Sequence, residues 1–440
     1  MTNPDYSAEQ RFFHPARRPY RFTILFFVSM LTFGSYFAYD IIGAIAPRLV
    51  EELGAARSTV GAFYMIYSVA AIISVLIGGF LIDFLGTRKA SLLFSILVFA
   101  GAALVSAANS VEILFVGRFI FGAGSEPLVV AQSAILARWF KGKELALSFG
   151  IALTVSRLGT LFSFNMGELI AEHYGGYKYA LIAATLFCLI SLIANIVYII
   201  MDRRGEKILQ LEDEEAEEKI DFSIVSQFKP SFWYIAMLCV LFYSAIFPFT
   251  ALSTDFFVDK WHIAKVAQSS GSFFAQAFNN FLHMFSTAGG ISSIIIFASM
   301  VFAPFAGHLV DKIGRRASLM IIGSILLIPS YLMLGLTNIY PAYSMIILGA
   351  AFVLVPAAMW PSVPLIVKKE QVGTAFGLIT FIQNIGLALF PYLNGKLRDV
   401  THNYTASMLM FASLGIFGLI FAFLLKKADS RESGVLERAG

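Results

Sequence analysis

Two opposite charges stand where an apolar chain has little reason to carry any. The stretch from Gly117 to Thr160, GRFIFGAGSEPLVVAQSAILARWFKGKELALSFGIALTVSRLGT, places Glu126 near the middle of one apolar run and Arg157 near the middle of the next. The two runs, roughly Glu112 to Arg138 and Glu144 to Glu172, have helical spacing and are joined by the basic turn of Lys141, Gly142 and Lys143. Each exceeds the about 20 residues that a helix rising about 1.5 Å per residue needs to cross hydrocarbon. An ionisable side chain at that depth costs on the order of 3 kcal/mol or more to insert, so it must face a partner or a water-filled cavity. Two readings follow: a buried ion pair that joins adjacent antiparallel helices, or the polar floor of a transport site. Desolvation offsets most of the attraction within a buried pair, which favours the floor.

The elements that position these charges are membrane helices. Hydrophobic residues make up 58% of the chain and charged residues 14%, where soluble domains run near half apolar and about a quarter charged. The 440 residues parse into twelve apolar segments of spanning length, with polar residues confined mainly to the joints. The expected fold is all-α and polytopic. Among the expected spans are Ser58 to Asp83, Ala90 to Ala107, Tyr177 to Met201 and Phe281 to Asp311. Residues 1–21 are polar and carry four arginines, so the first span reads as a retained helix with no cleavable signal before it. Assigning both termini and the joints after even-numbered spans to one side collects 23 of the 32 Lys and Arg there; seven lie opposite, and Arg118 and Arg157 lie within spans. That bias predicts both termini in the cytoplasm. The net charge of +4 follows from this topology and does not imply nucleic-acid binding. Cys188 and Cys239 both sit in apolar spans and make no disulfide or metal pattern. There is no phosphate loop, metal-ligand cluster or nucleophile with its base, so an enzyme and a cofactor are not expected.

The chain repeats itself. GGFLIDFLGTRK, Gly78 to Lys89, follows the second span, and AGHLVDKIGRR, Ala306 to Arg316, follows the eighth: Gly79, Leu81, Asp83, Gly86 and Arg88 match Gly307, Leu309, Asp311, Gly314 and Arg316 at an offset of 228. SFGIALTVSRLG, Ser148 to Gly159, lies over AFGLITFIQNIG, Ala375 to Gly386, at an offset of 227. Two matches at nearly one offset predict a duplicated six-helix unit. The halves are expected at 1–201 and 231–440, joined by a cytoplasmic linker at 202–230. In the second alignment Asn384 occupies the place of Arg157, so the deep positive charge belongs to one half only.

The motif G-x-L-x-D-x-x-G-x-R after spans two and eight, with two six-helix halves, resembles the major facilitator superfamily over essentially all the spans. FGSYFAYD, GRFIFGAGSEPLVVAQ, WFKGKELALSFG, SRLGT, AIFPF and GTAFGLITFIQNIGLAL are similar to signature segments of that superfamily's lysosomal dipeptide transporters and their prokaryotic relatives. The resemblance implies a secondary transporter with twelve helices in two pseudo-symmetric bundles that rock around a site near the bilayer midplane. It implies that Glu126 receives a substrate's amino group and Arg157 its carboxylate, which suits a zwitterion with separated ends because arginine offers a planar fork to a carboxylate. It further implies that Asp83 and Arg88 latch the cytoplasmic side with Arg138, that Asp311, Arg315 and Arg316 do so more weakly, and that Arg118 couples protons or gates.

Other residues fill in around this frame, each with a structural alternative. Tyr36 and Asp40 share a helix face and line a cavity or gate, or Asp40 snorkels outward to Arg48 or Arg57. Tyr39, Tyr64, Tyr67, Tyr243, Trp360, Gln383 and Asn384 are candidate cavity walls, or core packing with satisfied hydroxyls. Pro248 and the Pro356, Pro361 and Pro364 group bend their helices. His283 and His308, in or near the eighth span, are relays or packed imidazoles. The acidic run Glu212 to Glu218 is a solvated tether. The long outer joint from Asp259 to Asn280 caps an entrance or is an exposed helix.

Three classes stay open: a carrier of dipeptides or similar zwitterions by uniport or proton coupling, a proton-coupled transporter of organic acids, siderophores or drug-like compounds, and a non-transporting receptor of this fold. The expected partners are the small substrate, protons if coupled, and the bilayer. A monomer is expected, with the need for an accessory subunit open. The expected membrane is a bacterial inner membrane, or the lysosomal membrane in a eukaryote.

Overall fold

The computed structural model describes residues 14–140, 144–209, 222–268, 270–368, 371–432 and 434–438. Apolar runs become long helices even across the interior prolines Pro127, Pro248, Pro329, Pro356 and Pro391. Helix α1 covers Arg18–Ala44, and α2 (Ala46–Glu52) continues from it. Then come α3 (Arg57–Ala107), α4 (Val111–Phe140), α5 (Leu145–Tyr174) and α6 (Tyr177–Leu209). After the linker lie α7 (Pro230–Thr250), α8 (Ser253–Trp261), α9 (Phe273–Leu282), α10 (Ala288–Ile313), α11 (Arg316–Leu336), α12 (Pro341–Met359), α13 (Val363–Ile366), α14 (Val372–Thr401) and α15 (Thr405–Glu432). Among the described residues eleven helices are long and apolar enough to cross a membrane, and α10 adds a shorter apolar stretch over Ala288–Ala303. The fold is the expected all-α, multi-pass one.

Three boundaries differ from the expectation. The second and third spans form the single helix α3, broken only at Gly86, whose φ of 76° is open to glycine and strained for other residues. Its repeat partner Gly314 ends α10 with a φ of 72°, so both motif glycines take positive φ, with ψ of 158° at Gly86 and −91° at Gly314. The sixth span runs past Met201 to Leu209, and the eighth begins at Ala288, which leaves His283 exposed at the end of α9 with Nδ1 2.9 Å from the carbonyl of Asn279. The acidic run at Glu212 to Glu218 lies outside the described residues.

The chain forms two compact units, one of residues 1–39, 70–162 and 181–216, the other of 40–69, 163–180 and 217–440. In the first, small residues bring helices into contact: a Cβ on Gly124 would stand 2.6 Å from the carbonyl of Phe94, and one on Gly159 would stand 2.4 Å from that of Phe33. Gly386, the repeat partner of Gly159, packs equally closely on α7, where its Cβ would meet Ser244 Oγ at 2.0 Å.

The second unit gathers the outer ends of α1, α3 and α5 with the C-terminal helices, outer meaning opposite the chain termini. Backbones touch there: a Cβ on Gly61 would stand 2.1 Å from Pro391 O, on Gly395 2.2 Å from Arg57 O, and on Gly289 2.0 Å from Phe164 O. A prediction follows from one helix. Gly61→Ala forces carbonyl and methyl together and is expected to cost about 1–3 kcal/mol. Gly79→Ala, with nothing within 4 Å of the added atom, is expected to be neutral or to gain up to about 1 kcal/mol of helix propensity. Unfolding midpoints of the two purified variants check this contrast.

Candidate transport site and its gates

Within the first unit, two short hydroxyl contacts set the position of the central charges. Ser35 and Ser125 meet Oγ to Oγ at 2.5 Å, tying α1 to α4 one residue before Glu126. Thr32 Oγ1 meets Ser156 Oγ at 2.6 Å, tying α1 to α5 one residue before Arg157. Gln132 completes this buried seam, donating to the carbonyl of Val28 at 2.8 Å and bonding Thr32. Thr32 and Ser35 are three residues apart, about 4.5 Å along the helix axis. The residues just before Glu126 and Arg157 are thereby fastened to α1 within one turn of each other, and both charged residues are half-buried. Tyr36 and Tyr39, also half-buried, continue the same helix outward. Arg118 is buried, donates to the carbonyl of Ala38 at 3.1 Å, and lies over the ring of Tyr39 at 5.5 Å and of Phe121 at 5.2 Å.

In the second unit Asp40, Tyr64 and Tyr67 are all buried, and the backbone N–H of Gly43 donates to Tyr64 Oη at 2.8 Å. Of the four predicted residues of the C-terminal half, Tyr243 and Trp360 meet directly, whereas Gln383 and Asn384 bond other groups. Trp360 donates from Nε1 to Tyr243 Oη at 2.9 Å, and Tyr243 stacks on Phe247. Gln383 Oε1 accepts from Cys239 Sγ at 3.6 Å, one helical turn before Tyr243. Asn384 is buried and donates to the carbonyl of Thr380 within its own helix at 3.0 Å. Tyr243, Trp360 and Phe247 thus form an uncharged aromatic group.

The residues expected to gate have definite partners, some of them not foreseen. Arg88 donates to Asp202 at 2.6 Å and bonds Glu206; Arg138 reaches the same two carboxylates at 3.1 and 3.3 Å; Trp139 donates to Asp202 at 2.6 Å. Asp202 and Glu206 sit one turn apart on the last stretch of α6, which sequence reading assigned to the linker. Their spacing of four was the available signal. Arg316 opens α11, half-buried. The side chains of Asp83 and Asp311 lie outside the described residues.

A second missed group joins helices in the second unit. Arg57 forks onto Asp255, Nε at 2.6 Å and one terminal nitrogen at 3.3 Å, and Tyr404 donates to the same carboxylate at 2.5 Å. Burial, then the Asp255 carboxylate, push the Tyr404 phenol well above its ordinary pKa, so its hydroxyl stays a donor. Asp399 accepts from the backbone N–H groups of Arg57 and Ser58 at 3.1 and 2.8 Å, capping the first turn of α3 from another helix. Arg48 bonds Glu168 at 2.5 Å and also reaches Glu52 and Glu172, so it and Arg57 both engage carboxylates other than the Asp40 considered from sequence. Lys260 caps the C-terminal carbonyls of α11, 2.5 Å from Leu334 O, and burial holds its ammonium below the ordinary lysine pKa. Among the described residues no three His, Cys, Asp or Glu gather as metal ligands would.

Comparison with known proteins places this architecture. The profile of the Major Facilitator Superfamily matches residues 28–282 and 268–439. The lysosomal dipeptide transporter MFSD1 of Danio rerio is 33% identical over 433 residues, covering 95% of this chain and 89% of the relative. That of Homo sapiens is 32% identical over 431 residues, covering 94% and 88%. A crystal structure of a peptide transporter superposes with a TM-score of 0.72 at 13% identity, over 94% of this chain and 95% of the other, which speaks to the fold alone.

The basic cluster at the end of α6 yields a graded prediction. Asp202 is fully buried, and Asp202→Asn leaves two guanidiniums short of charge, an expected loss of about 3–5 kcal/mol. Glu206 is 37% exposed, and Glu206→Gln is expected to cost less than about 1 kcal/mol. Thermal unfolding in detergent separates them, and equal midpoints would mean that Asp202 does not hold the cluster.

Proposed function

This chain belongs to the major facilitator superfamily and is a multi-pass membrane transporter of small substrates, and on that premise we propose that it carries dipeptides or similar zwitterions by alternating access. Glu126 takes the ammonium end and Arg157 the carboxylate. The observation that carries this reading is the pair of hydroxyl pins, Ser35 to Ser125 and Thr32 to Ser156, which fasten the residues next to Glu126 and Arg157 to α1 within one turn of each other. A pre-positioned acid and base need no reorganisation to meet the two ends of a zwitterion, which lowers the cost of binding.

The named activity of the dipeptide-transporting relatives supports the same substrate class. Tyr36, Tyr39, Tyr64, Tyr67, Tyr243, Trp360, Gln383 and Asn384 act as uncharged walls that accept varied side chains. The repeat halves, 1–201 and 231–440, are the moving bodies, joined by the linker. The outer seal at Arg57, Asp255, Tyr404 and Asp399, with Asp40 close to it in sequence, opens and closes one side. Arg88 and Arg138 on Asp202, with Asp83, Asp311 and Arg316, serve the other side. Arg118 links the depth of Glu126 to Tyr39 and couples or gates. Both termini face the cytoplasm, by the distribution of Lys and Arg; the membrane is a bacterial inner membrane, or the lysosomal one in a eukaryote.

The test is uptake of a mixed dipeptide panel into proteoliposomes by wild type, Glu126→Gln and Arg157→Gln, with and without an imposed pH gradient. Wild type is expected to accumulate dipeptide and each variant to lose at least tenfold. Stimulation by an inward proton gradient would assign symport through Glu126, and its absence uniport. Dipeptide flux that survives both substitutions would make the pair structural, and a wild type that moves no dipeptide would turn the search to organic ions.

A further inference from the structure

Helix α9 is short, lies outside the spans, and turns its apolar side away from the protein. Its polar side is fastened inward: Asn280 donates to the carbonyl of Asn165 at 2.6 Å and accepts from the N–H of Ala267 at 2.9 Å, and Gln276 Oε1 meets His173 Nδ1 at 3.2 Å. The opposite side, at positions i, i+4, i+7 and i+8, is bare: Phe274 is 83% exposed, Phe278 65%, Phe281 41% and Leu282 61%. Phe285, just beyond the helix, is 47% exposed. A contiguous aromatic ridge of this kind marks an interaction surface.

Both ends of the ridge are fixed to the outer ends of membrane spans. At the start, the ring of Phe273 packs on His173 at 5.4 Å and on Tyr174 at 6.0 Å, the last two residues of α5. Beyond the far end, the hydroxyl of Tyr340, the residue that precedes α12, bonds the carbonyl of Phe285. A helix tied at each end to the mouth of a span runs along the membrane surface, not through it. The neighbouring span ends expose Tyr174, Tyr340 and Tyr343, residues suited to the boundary between headgroups and acyl chains. The ridge is therefore continuous with the surface that the spans present to lipid. Residues 270–286 contain no lysine or arginine, so attraction to anionic headgroups supplies nothing, and burial of the phenylalanines does the work.

We infer that α9 is an interfacial membrane helix, seated with Phe274, Phe278, Phe281 and Leu282 in the outer leaflet at the level where headgroups meet acyl chains. The occupant of this surface is lipid, not a second copy or a soluble partner.

The test uses the full-length protein in phosphatidylcholine liposomes. Spin labels are placed at Phe274→Cys and, separately, at Phe278→Cys, with Gln268→Cys in the preceding loop as the aqueous control; Cys188 and Cys239 are buried and escape labelling. Collision rates with molecular oxygen, which concentrates in lipid, are compared with those of a water-soluble nickel chelate. The expected result is an oxygen-to-nickel ratio several-fold higher at both 274 and 278 than at 268, unchanged by adding anionic lipid. A ratio equal to that at 268 would place the ridge in water and overturn the proposal. Protection from both reagents would mean a protein covers it, which overturns the proposal equally. Two independent label sites keep the answer readable if one variant fails to fold.

Discussion

Asp255 is the residue on which the outer half of the molecule depends. Its carboxylate holds the guanidinium of Arg57 and the hydroxyl of Tyr404, joining helices from both copies of the repeat. The other outer contacts are arranged around that junction: Asp399 caps the helix that Arg57 begins, and Gly395 lets the backbone of Arg57 approach to a distance no side chain would permit. A charge brought out of water must have a partner, and once it has one, the helices that carry the partners lose the freedom to separate cheaply. The same constraint orders the first unit, where Asp202 collects Arg88, Arg138 and the indole of Trp139.

The two ends thus answer one physical problem with different parts. On the outer side the charges join the N-terminal spans to the C-terminal ones. On the side of the termini they hold α3, α4 and α6 of a single copy together. Between these ends the chain uses weaker links: serine and threonine hydroxyls that bond neighbours at little cost in volume, and glycines that bring backbones close. Hydroxyl seams suit the interior because they position helices without adding formal charge beside Glu126 and Arg157.

Much of this was legible in the amino-acid sequence, and for physical reasons. Long apolar runs must be helices in hydrocarbon, since only internal hydrogen bonds satisfy the backbone there. Gly86 and Gly314, matched as part of the repeat, both take positive φ. Tyr243 and Trp360, chosen as amphipathic exceptions in apolar runs, do meet through a hydrogen bond. What could not be read was pairing between distant helices. Ser35, Ser125, Thr32 and Ser156 look unremarkable one at a time, and only the register of α1 against α4 and α5 gives them a task. Asp202 and Glu206 resembled the start of a polar linker because hydropathy falls there, yet two arginines from other helices neutralise them and let α6 continue. The phenylalanines of α9 were divided between a loop and a span, since periodicity alone does not tell a helix lying on a membrane from one entering it.

The cap that Asp399 places on α3 has a further consequence. The first amides of that helix find their acceptor on a helix of the opposite repeat, and parting the two would leave them to water. The same holds for Arg57, Asp255 and Tyr404. In the cycle proposed above, opening this junction would therefore take up water as much as move helices, each group exchanging a protein partner for solvent. The junction would then act as a hydration switch, with the solvent itself a reactant in the cycle.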